Sequence, residues 1–165
     1  MKKLILGSIF LLVFTSIVFA MDSDIVKHSS CTYCGMNRAK FAHSRVLIEY
    51  DDGSSFGACS LHCASVDLAN NIDKAPSTIG VGDYYSKKLT DAEKAFWVLG
   101  GKQPGVMTMN AKWAFEDKRS AEKFIKEIGG ALAIFDDAIK AAYEDMYKDT
   151  KQIREKRKLK RSLKP

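Results

Sequence analysis

Apolar and polar residues alternate along the first half of the chain in a way that predicts a β-hairpin followed by a helix. Residues 44–58, SRVLIEYDDGSSFGA, place β-branched and aromatic side chains on both sides of Asp52-Gly53. An Asp-Gly pair between two such runs is a strong hairpin signal. Residues 60–71 follow with apolar side chains at helical spacing, and Ser60 is a suitable N-cap.

The same order of elements recurs in the second half. Pro76 ends the first helix, and residues 77–85 predict a strand that completes the first unit. The second unit consists of predicted strands over residues 95–101 and 112–116, a helix over residues 117–130 and a strand over residues 131–135. Two β-β-α-β modules in an α+β fold are the simplest account of this pattern.

A long helix is predicted from residue 136 to about residue 161. Ile139, Ala142, Tyr143 and Met146 recur there at intervals of three and four, as on one face of a helix. We expect the first half of this helix to pack on the sheets and its basic second half to project from them.

The N-terminal residues 1–20 have the pattern of an export signal. Two lysines precede an uncharged run of 17 residues, which ends in Val18-Phe19-Ala20, a suitable signal-peptidase site. An uncleaved N-terminal anchor is the alternative, because 17 residues are just enough to span a bilayer. Either interpretation places the rest of the chain outside the cytoplasm, which is the periplasm in a bacterium.

Charge divides the exported part into a domain, residues 21–147, and a basic C-terminal tail, residues 148–165. The net charge of +6 comes from +7 in the tail and +2 in the signal, so the domain itself carries −3. The tail is expected to be a solvated helix extension, with binding to anionic lipid as the weaker alternative. Nucleic acid is not an expected partner of an exported chain.

All four cysteines lie in two short motifs. Cys31 and Cys34 belong to CTYC in a turn before the first strand, and Cys59 and Cys63 belong to CSLHC at the start of the first helix. If the turn folds over the helix end, the four sulfur atoms converge. A helix N-terminus also favours thiolates, because its N–H groups and partial positive charge lower a thiol pKa.

Several kinds of site are compatible with four such thiols. Structural disulfides are common in exported chains with an even cysteine number. A closed zinc site agrees with the C-x2-C and C-x3-C spacing. A thioredoxin-like redox centre is disfavoured because the C-x-x-C motif precedes a hairpin, and haem attachment because Gly35 follows Cys34.

A soft monovalent metal is the fourth kind of site. Cu(I) prefers thiolate and thioether sulfur, with imidazole as a further donor. A bend at Gly35 can turn the sulfurs of Cys34 and Met36 in the same direction, and the Gly/Pro loop with Met107 and Met109 can close over the same place. The combination of Cys, Met and His outside the cytoplasm favours a copper site over the other kinds of site.

The motifs also resemble those of one protein family. Cys34-Gly35-Met36, the CSLHC segment of residues 59–63, and residues 81–130, with the pattern GVMTMNAKWAF, are similar to the NosL family. The likeness covers about residues 31–135, and the four cysteines resemble a four-cysteine variant of the family. The resemblance implies Cu(I) binding and copper delivery without catalysis, with Cys34, Met36 and Met107 at the family's ligand positions.

NosL proteins are accessory proteins for maturation of the copper centres of nitrous oxide reductase. The resemblance therefore implies an apo copper enzyme and a copper exporter or assembly complex as partners. The family's members typically carry an acylated cysteine after the signal, and this chain has none there. Membrane association would instead use an uncleaved N-terminus or the basic tail.

The sequence thus predicts a periplasmic, non-enzymatic protein that binds Cu(I) and passes it on by ligand exchange. Zinc is retained as a second metal. The alternatives are a thiol-disulfide exchange protein and a zinc-stabilised docking module. The candidate metal ligands, in order of preference, are Cys34, Met36, Cys59, Cys63, Met107, Cys31 and His62.

Overall fold

A computed structural model describes residues 23–163, which contain four helices and seven strands. The helices are α1 (Ser23–Lys27), α2 (Leu61–Asn70), α3 (Lys118–Ile128) and α4 (Phe135–Ser162). The strands are β1 (Val46–Tyr50), β2 (Ser55–Ala58), β3 (Pro76–Gly82), β4 (Leu89–Asp91), β5 (Phe96–Leu99), β6 (Lys112–Phe115) and β7 (Ala131–Ala133).

The strands form two antiparallel sheets, with orders β2-β1-β3-β4 and β6-β5-β7. The first sheet is built on the predicted hairpin, in which Ile48 of β1 pairs with Phe56 of β2. Gly53 in its turn has φ 79°, a conformation that glycine adopts without steric cost. The other edge of β1 pairs with β3, where Ile48 faces Ile79.

The two predicted β-β-α-β modules are present, as β1-β2-α2-β3 and β5-β6-α3-β7, so the α+β prediction is confirmed. Asp83, just after β3, joins them. Its backbone forms a bridge with Ala114 of β6, and its side chain accepts a hydrogen bond from the backbone N–H of Glu116 at 2.9 Å. The modules are therefore in direct contact.

Three local features differ from the sequence-based prediction. Both α1 and β4 were missed, because segments of five and three residues carry too little periodicity to detect. The strand predicted over residues 131–135 ends at Ala133, and α4 begins at Phe135. Acidic Asp136 and Asp137 in the first turn of α4 suit the positive end of the helix dipole, which favours the earlier helix start.

Large aromatic residues fill the core around the second sheet. Trp97 and Trp113 are almost completely buried, as are Phe115 and Phe124. Tyr84, just after β3, contacts Trp113 and Phe124 edge to face with ring centroids 5.2 and 4.8 Å apart. Such contacts between β3 and the second module add to the free energy gained by burying apolar area.

The last helix, α4, packs against α2 and against β5 of the second sheet. Two carboxylates on it reach the rest of the fold. The Lys112 ammonium donates to Asp145 at 2.8 Å, and Asp149 lies 3.3 Å from His62 of α2. The helix continues without a break through residue 148, where the basic tail was predicted to begin, and its basic half is largely exposed.

The export signal predicted over residues 1–20 lies outside the described residues. Within residues 23–163, no helix combines the length and hydrophobicity needed to cross a bilayer.

Candidate metal centre

A tight turn presents the first two cysteines. The N–H of Gly35 donates to the carbonyl of Cys31 at 2.8 Å, and the N–H of Cys31 donates to the carbonyl of Met36 at 2.9 Å. Gly35 has φ 73°, and a Cβ there would meet nothing within 4 Å, so its backbone conformation, not space, favours glycine. The bend that the sequence predicts at Gly35 is present, with Cys34 on one side of it and Met36 on the other.

The second pair of cysteines lies at the junction of β2 and α2. Cys59 follows β2, Ser60 is the N-cap, and Cys63 lies in the first turn of α2. The Ser44 hydroxyl donates to the carbonyl of Cys59 at 2.9 Å and fixes the backbone there. Both thiols therefore sit beside the N–H groups at the positive end of α2.

The four thiols form one group, which we name the thiol cluster: Cys31, Cys34, Cys59 and Cys63. All four Sγ atoms lie within 4.8 Å of one another, and all four cysteines are free. The Sγ of Cys59 is 3.4 Å from that of Cys34 and 3.8 Å from that of Cys63. A tetrahedral ion with metal–sulfur bonds of about 2.3 Å would place its ligand sulfurs about 3.8 Å apart. The cluster therefore has the size of a metal site.

Mutual hydrogen bonding distributes the protons unevenly within the thiol cluster. Contacts with Cys34, Cys59 and Cys63 lower the pKa of Cys31 well below that of an ordinary thiol. Contacts with Cys31 and Cys34, and burial, raise the pKa of Cys59 and Cys63. The contact with Cys31 raises the pKa of Cys34, but the contacts with Cys59 and Cys63 together lower it by more. The net result is a pKa lowered from 9.0 to about 7.

A buried ionic network that the sequence analysis missed holds the turn in place. Arg38 and Arg45 are completely buried, and each donates to the Asp24 carboxylate, at 2.7 and 2.9 Å. Arg38 also donates to the carbonyl oxygens of Ala58 and Val46, both at 3.0 Å. Arginines in an irregular segment usually indicate surface, so nothing in the sequence pattern distinguished them.

Thioether sulfurs line a groove beside the thiol cluster, which we name the thioether groove. Its volume is about 590 Å³, and one side is lined by Cys34, Met36, Met107 and the more exposed Met109. Met107 has φ 65°, a strained conformation for a residue with a side chain. Strain of this kind persists only where the surrounding structure enforces it, and it often marks functional positions.

The other side of the thioether groove is formed by the basic half of α4. Asp149 and Ile153 lie nearer the protein interior, and the exposed part of the wall carries cations. The cationic residues are Lys156, Arg157 and Lys160. The second half of α4 thus does more than project from the fold, because it forms a wall beside Cys34 and the methionines.

His62 lies apart from the four sulfurs. Its ring is buried against α4, with Nδ1 3.3 Å from Oδ2 of Asp149, although neither atom makes a hydrogen bond of good geometry. Burial lowers the pKa of His62 more than Asp149 raises it, which favours the neutral ring. Its predicted role as a metal ligand stays a prediction, and its contact in this structure is with Asp149.

The structure thus brings together six of the seven predicted ligands in two adjoining places. The thiol cluster contains all four cysteines, and Met36 and Met107 line the groove that Cys34 shares. A donor set made only of thiol and thioether sulfur fits a soft metal ion. The fold and the site together define an α+β protein with a clustered, sulfur-only set of candidate metal ligands.

Comparison with known proteins agrees with this class. The NosL family model matches residues 22–143, so the chain belongs to the NosL family. Its fold is similar to the crystal structure of the copper chaperone NosL from Shewanella denitrificans, with a TM-score of 0.51 and 23% identity, covering 65% of this chain and 87% of that chain. No curated protein matches the sequence. The predicted family is confirmed, and with it the expectation of a non-enzymatic protein.

Proposed function

We propose that this protein binds Cu(I) through sulfur ligands and delivers it to a copper enzyme outside the cytoplasm. The observation that carries the proposal is the sulfur-only donor set. Four thiols lie within 4.8 Å of one another, and one of them, Cys34, shares a groove with Met36 and Met107. The structurally similar protein from Shewanella denitrificans is a copper chaperone, which supports the same cargo here.

Copper accounts for this donor set better than zinc does. Structural zinc is bound by thiolates and imidazoles, and it makes no use of thioethers. Cu(I) accepts both thiolate and thioether sulfur. The thiol cluster alone would fit either metal, but the two methionines beside Cys34 favour copper. Zinc is therefore the secondary metal of the proposal.

Delivery would proceed by ligand exchange in the thioether groove. Cys34, Met36 and Met107 are half-buried, so sulfur or imidazole donors of a partner can approach an ion there and displace its ligands one at a time. Lys156, Arg157 and Lys160 make the opposite wall positive. Complementary charge speeds encounter, so the wall favours an acidic surface on the partner.

The location and partners of the proposal follow from the sequence. The pattern of residues 1–20 directs the chain to the periplasm, where either an uncleaved N-terminus or the basic tail would bring it to the membrane. Family membership favours nitrous oxide reductase as the client and a copper exporter or assembly complex as the source. Another copper enzyme remains the alternative client.

A transfer experiment tests the function. Reduced protein of residues 21–165 is saturated with Cu(I), freed of excess metal and mixed, without oxygen, with apo nitrous oxide reductase. The account predicts faster loading than from a chelator buffer set to the same free Cu(I) concentration. Met36→Leu is expected to slow transfer, whereas the matched control Met146→Leu, on α4 outside the groove, is expected to leave it unchanged.

Three results would contradict the proposal. Loading no faster than from the chelator buffer would mean that the protein does not deliver copper. Activation that survives Met36→Leu but requires cycling of Cys31 and Cys34 between thiol and disulfide would indicate a thiol-disulfide exchange protein. Unfolding on zinc chelation, without copper binding, would indicate a zinc-stabilised docking module.

A further inference from the structure

The six sulfur atoms of the site differ in how a partner protein can reach them. Cys31, Cys59 and Cys63 expose 1%, 0% and 2% of their surface. Cys34, Met36 and Met107 are only half-buried and line the thioether groove. A metal ion among the first three sulfurs would be shielded from any partner, and an ion among the second three would be accessible.

The chemistry of each set of three sulfurs suits an ion of its own. The three buried thiols lie within 4.8 Å of one another, and Cys59 and Cys63 are 3.8 Å apart, close to the spacing about one metal ion. The positive end of α2 and the buried guanidinium of Arg38, which acts electrostatically on Cys31, offset the charge of buried thiolates. The accessible set contains one thiol and two thioethers, a donor set suited to Cu(I).

The two sets are in contact through Cys34. Its Sγ is 3.4 Å from the Sγ of Cys59, so an ion bound to the buried thiols lies within bonding reach of Cys34 as well. Cys34 is thus the member of the accessible set that contacts the buried set. An ion can move between them by exchanging one sulfur ligand at a time, without a change of oxidation state.

We propose that the chain holds two Cu(I) ions in adjoining sites, a buried one bound by Cys31, Cys59 and Cys63 and an exchangeable one bound by Cys34, Met36 and Met107. This inference rests on the proposed function. Each cysteine that binds releases its thiol proton to solvent, and each Cu(I) keeps its charge. The buried ion stabilises the turn against α2, and the exchangeable ion is the one that a partner receives.

The ratio of copper to protein provides the first test. Reduced protein is saturated with Cu(I), freed of excess metal by gel filtration without oxygen, and its metal content is measured. Two equivalents are expected. A soluble Cu(I) chelator should then remove them in two phases of equal amplitude, the second at least about tenfold slower, because the buried site must open locally before release.

Variants assign the phases. The double variant Met36→Leu/Met107→Leu should retain one equivalent and lose the fast phase, and Cys63→Ser should retain one equivalent and lose the slow phase. Met146→Leu serves as the control and should retain both. If Cys63→Ser fails to fold, the release amplitudes of the wild-type protein and of the methionine double variant still test whether there are two sites.

A saturating ratio of one, a single release phase, or loss of all copper in the methionine double variant would overturn the two-site proposal. So would one zinc ion that stays on the four cysteines while a single Cu(I) binds elsewhere. None of these outcomes affects copper delivery itself. Failure of the proposed function would instead appear as the absence of Cu(I) binding or of transfer to the client.

Discussion

The Sγ atom of Cys34 lies 3.4 Å from the Sγ atom of Cys59, which joins the turn before β1 to the start of α2. A disulfide would bring the two atoms to about 2.05 Å, so the contact is one between free thiols. Cys34 also lines the thioether groove with Met36. It therefore connects the buried thiols with the surface from which a partner can take metal.

Cys34 is expected to be the first thiol to react with an alkylating reagent. It is half-buried and its pKa is lowered to about 7, whereas the other three cysteines are buried. The thiolate is the nucleophile, so a brief treatment of reduced, metal-free protein with iodoacetamide at pH 7.5 should label Cys34 alone. Peptide mass spectrometry measures the label at each cysteine. Faster labelling of Cys63, or equal labelling of all four, would contradict the arrangement.

The pH dependence of the Cu(I) affinity at the accessible site should change near pH 7. The pKa of Cys34 is lowered from 9.0 to about 7, so above pH 7 this thiol is already deprotonated and Cu(I) displaces no proton when it binds. Below pH 7 one proton must be displaced, and affinity should fall by about tenfold for each pH unit on this account. Competition titrations at several pH values locate the change of slope. A change of slope near pH 9 would show that the pKa of Cys34 is that of an ordinary thiol, which would contradict this prediction.

Asp24→Asn should destabilise the fold strongly. Asp24 is the shared acceptor of Arg38 and Arg45, both completely buried, so the substitution leaves buried guanidinium charge uncompensated. Breaking such a pair costs about 3–5 kcal/mol. Urea unfolding of the metal-free protein measures the loss. Asp52→Asn, at the exposed ion pair with Lys74, is the matched control and should change stability little. Equal effects of the two substitutions would contradict the network's role.

Gly82→Ala should also destabilise the protein, although it adds only a methyl group. A Cβ at Gly82 would lie 2.1 Å from the carbonyl oxygen of Ala42, so the backbone before β1 must move away from β3. Overpacking of this kind costs about 1–3 kcal/mol. Gly80→Ala in the same strand is the control, because its Cβ would make an ordinary contact of 3.5 Å with Leu89. The melting temperatures of the two variants should differ, and similar values would contradict the close approach.

Much of the fold was predictable because its signals are local. The Asp52-Gly53 turn between two apolar runs defines the β1-β2 hairpin, and Asp117 caps α3 by accepting from the N–H of Ser120. The short β4 and α1 carry no comparable signal. Their positions follow from pairing with β3 and from the ion pairs of Asp24, which are long-range contacts.

The same distinction applies to the site. The spacing of Cys34 and Met36 is local, and the convergence of the four thiols follows from one fold-back of the turn over α2. The wall that α4 contributes could not be predicted, because it depends on how α4, which begins 65 residues after α2 ends, packs against α2. Nor does any periodicity mark Arg38 as completely buried.

The most direct test of the central claim is a competitive Cu(I) titration of the reduced protein through two equivalents of metal, with Cys34→Ser, Met36→Leu and the control Met146→Leu in parallel. The account predicts that the wild-type and control proteins bind the exchangeable equivalent tightly, and that the other two bind it with markedly lower affinity while their circular dichroism is unchanged. If the wild-type protein does not outcompete the chelator, or if Cys34→Ser and Met36→Leu bind as tightly as the control, the sulfur site described here is not the one that carries copper.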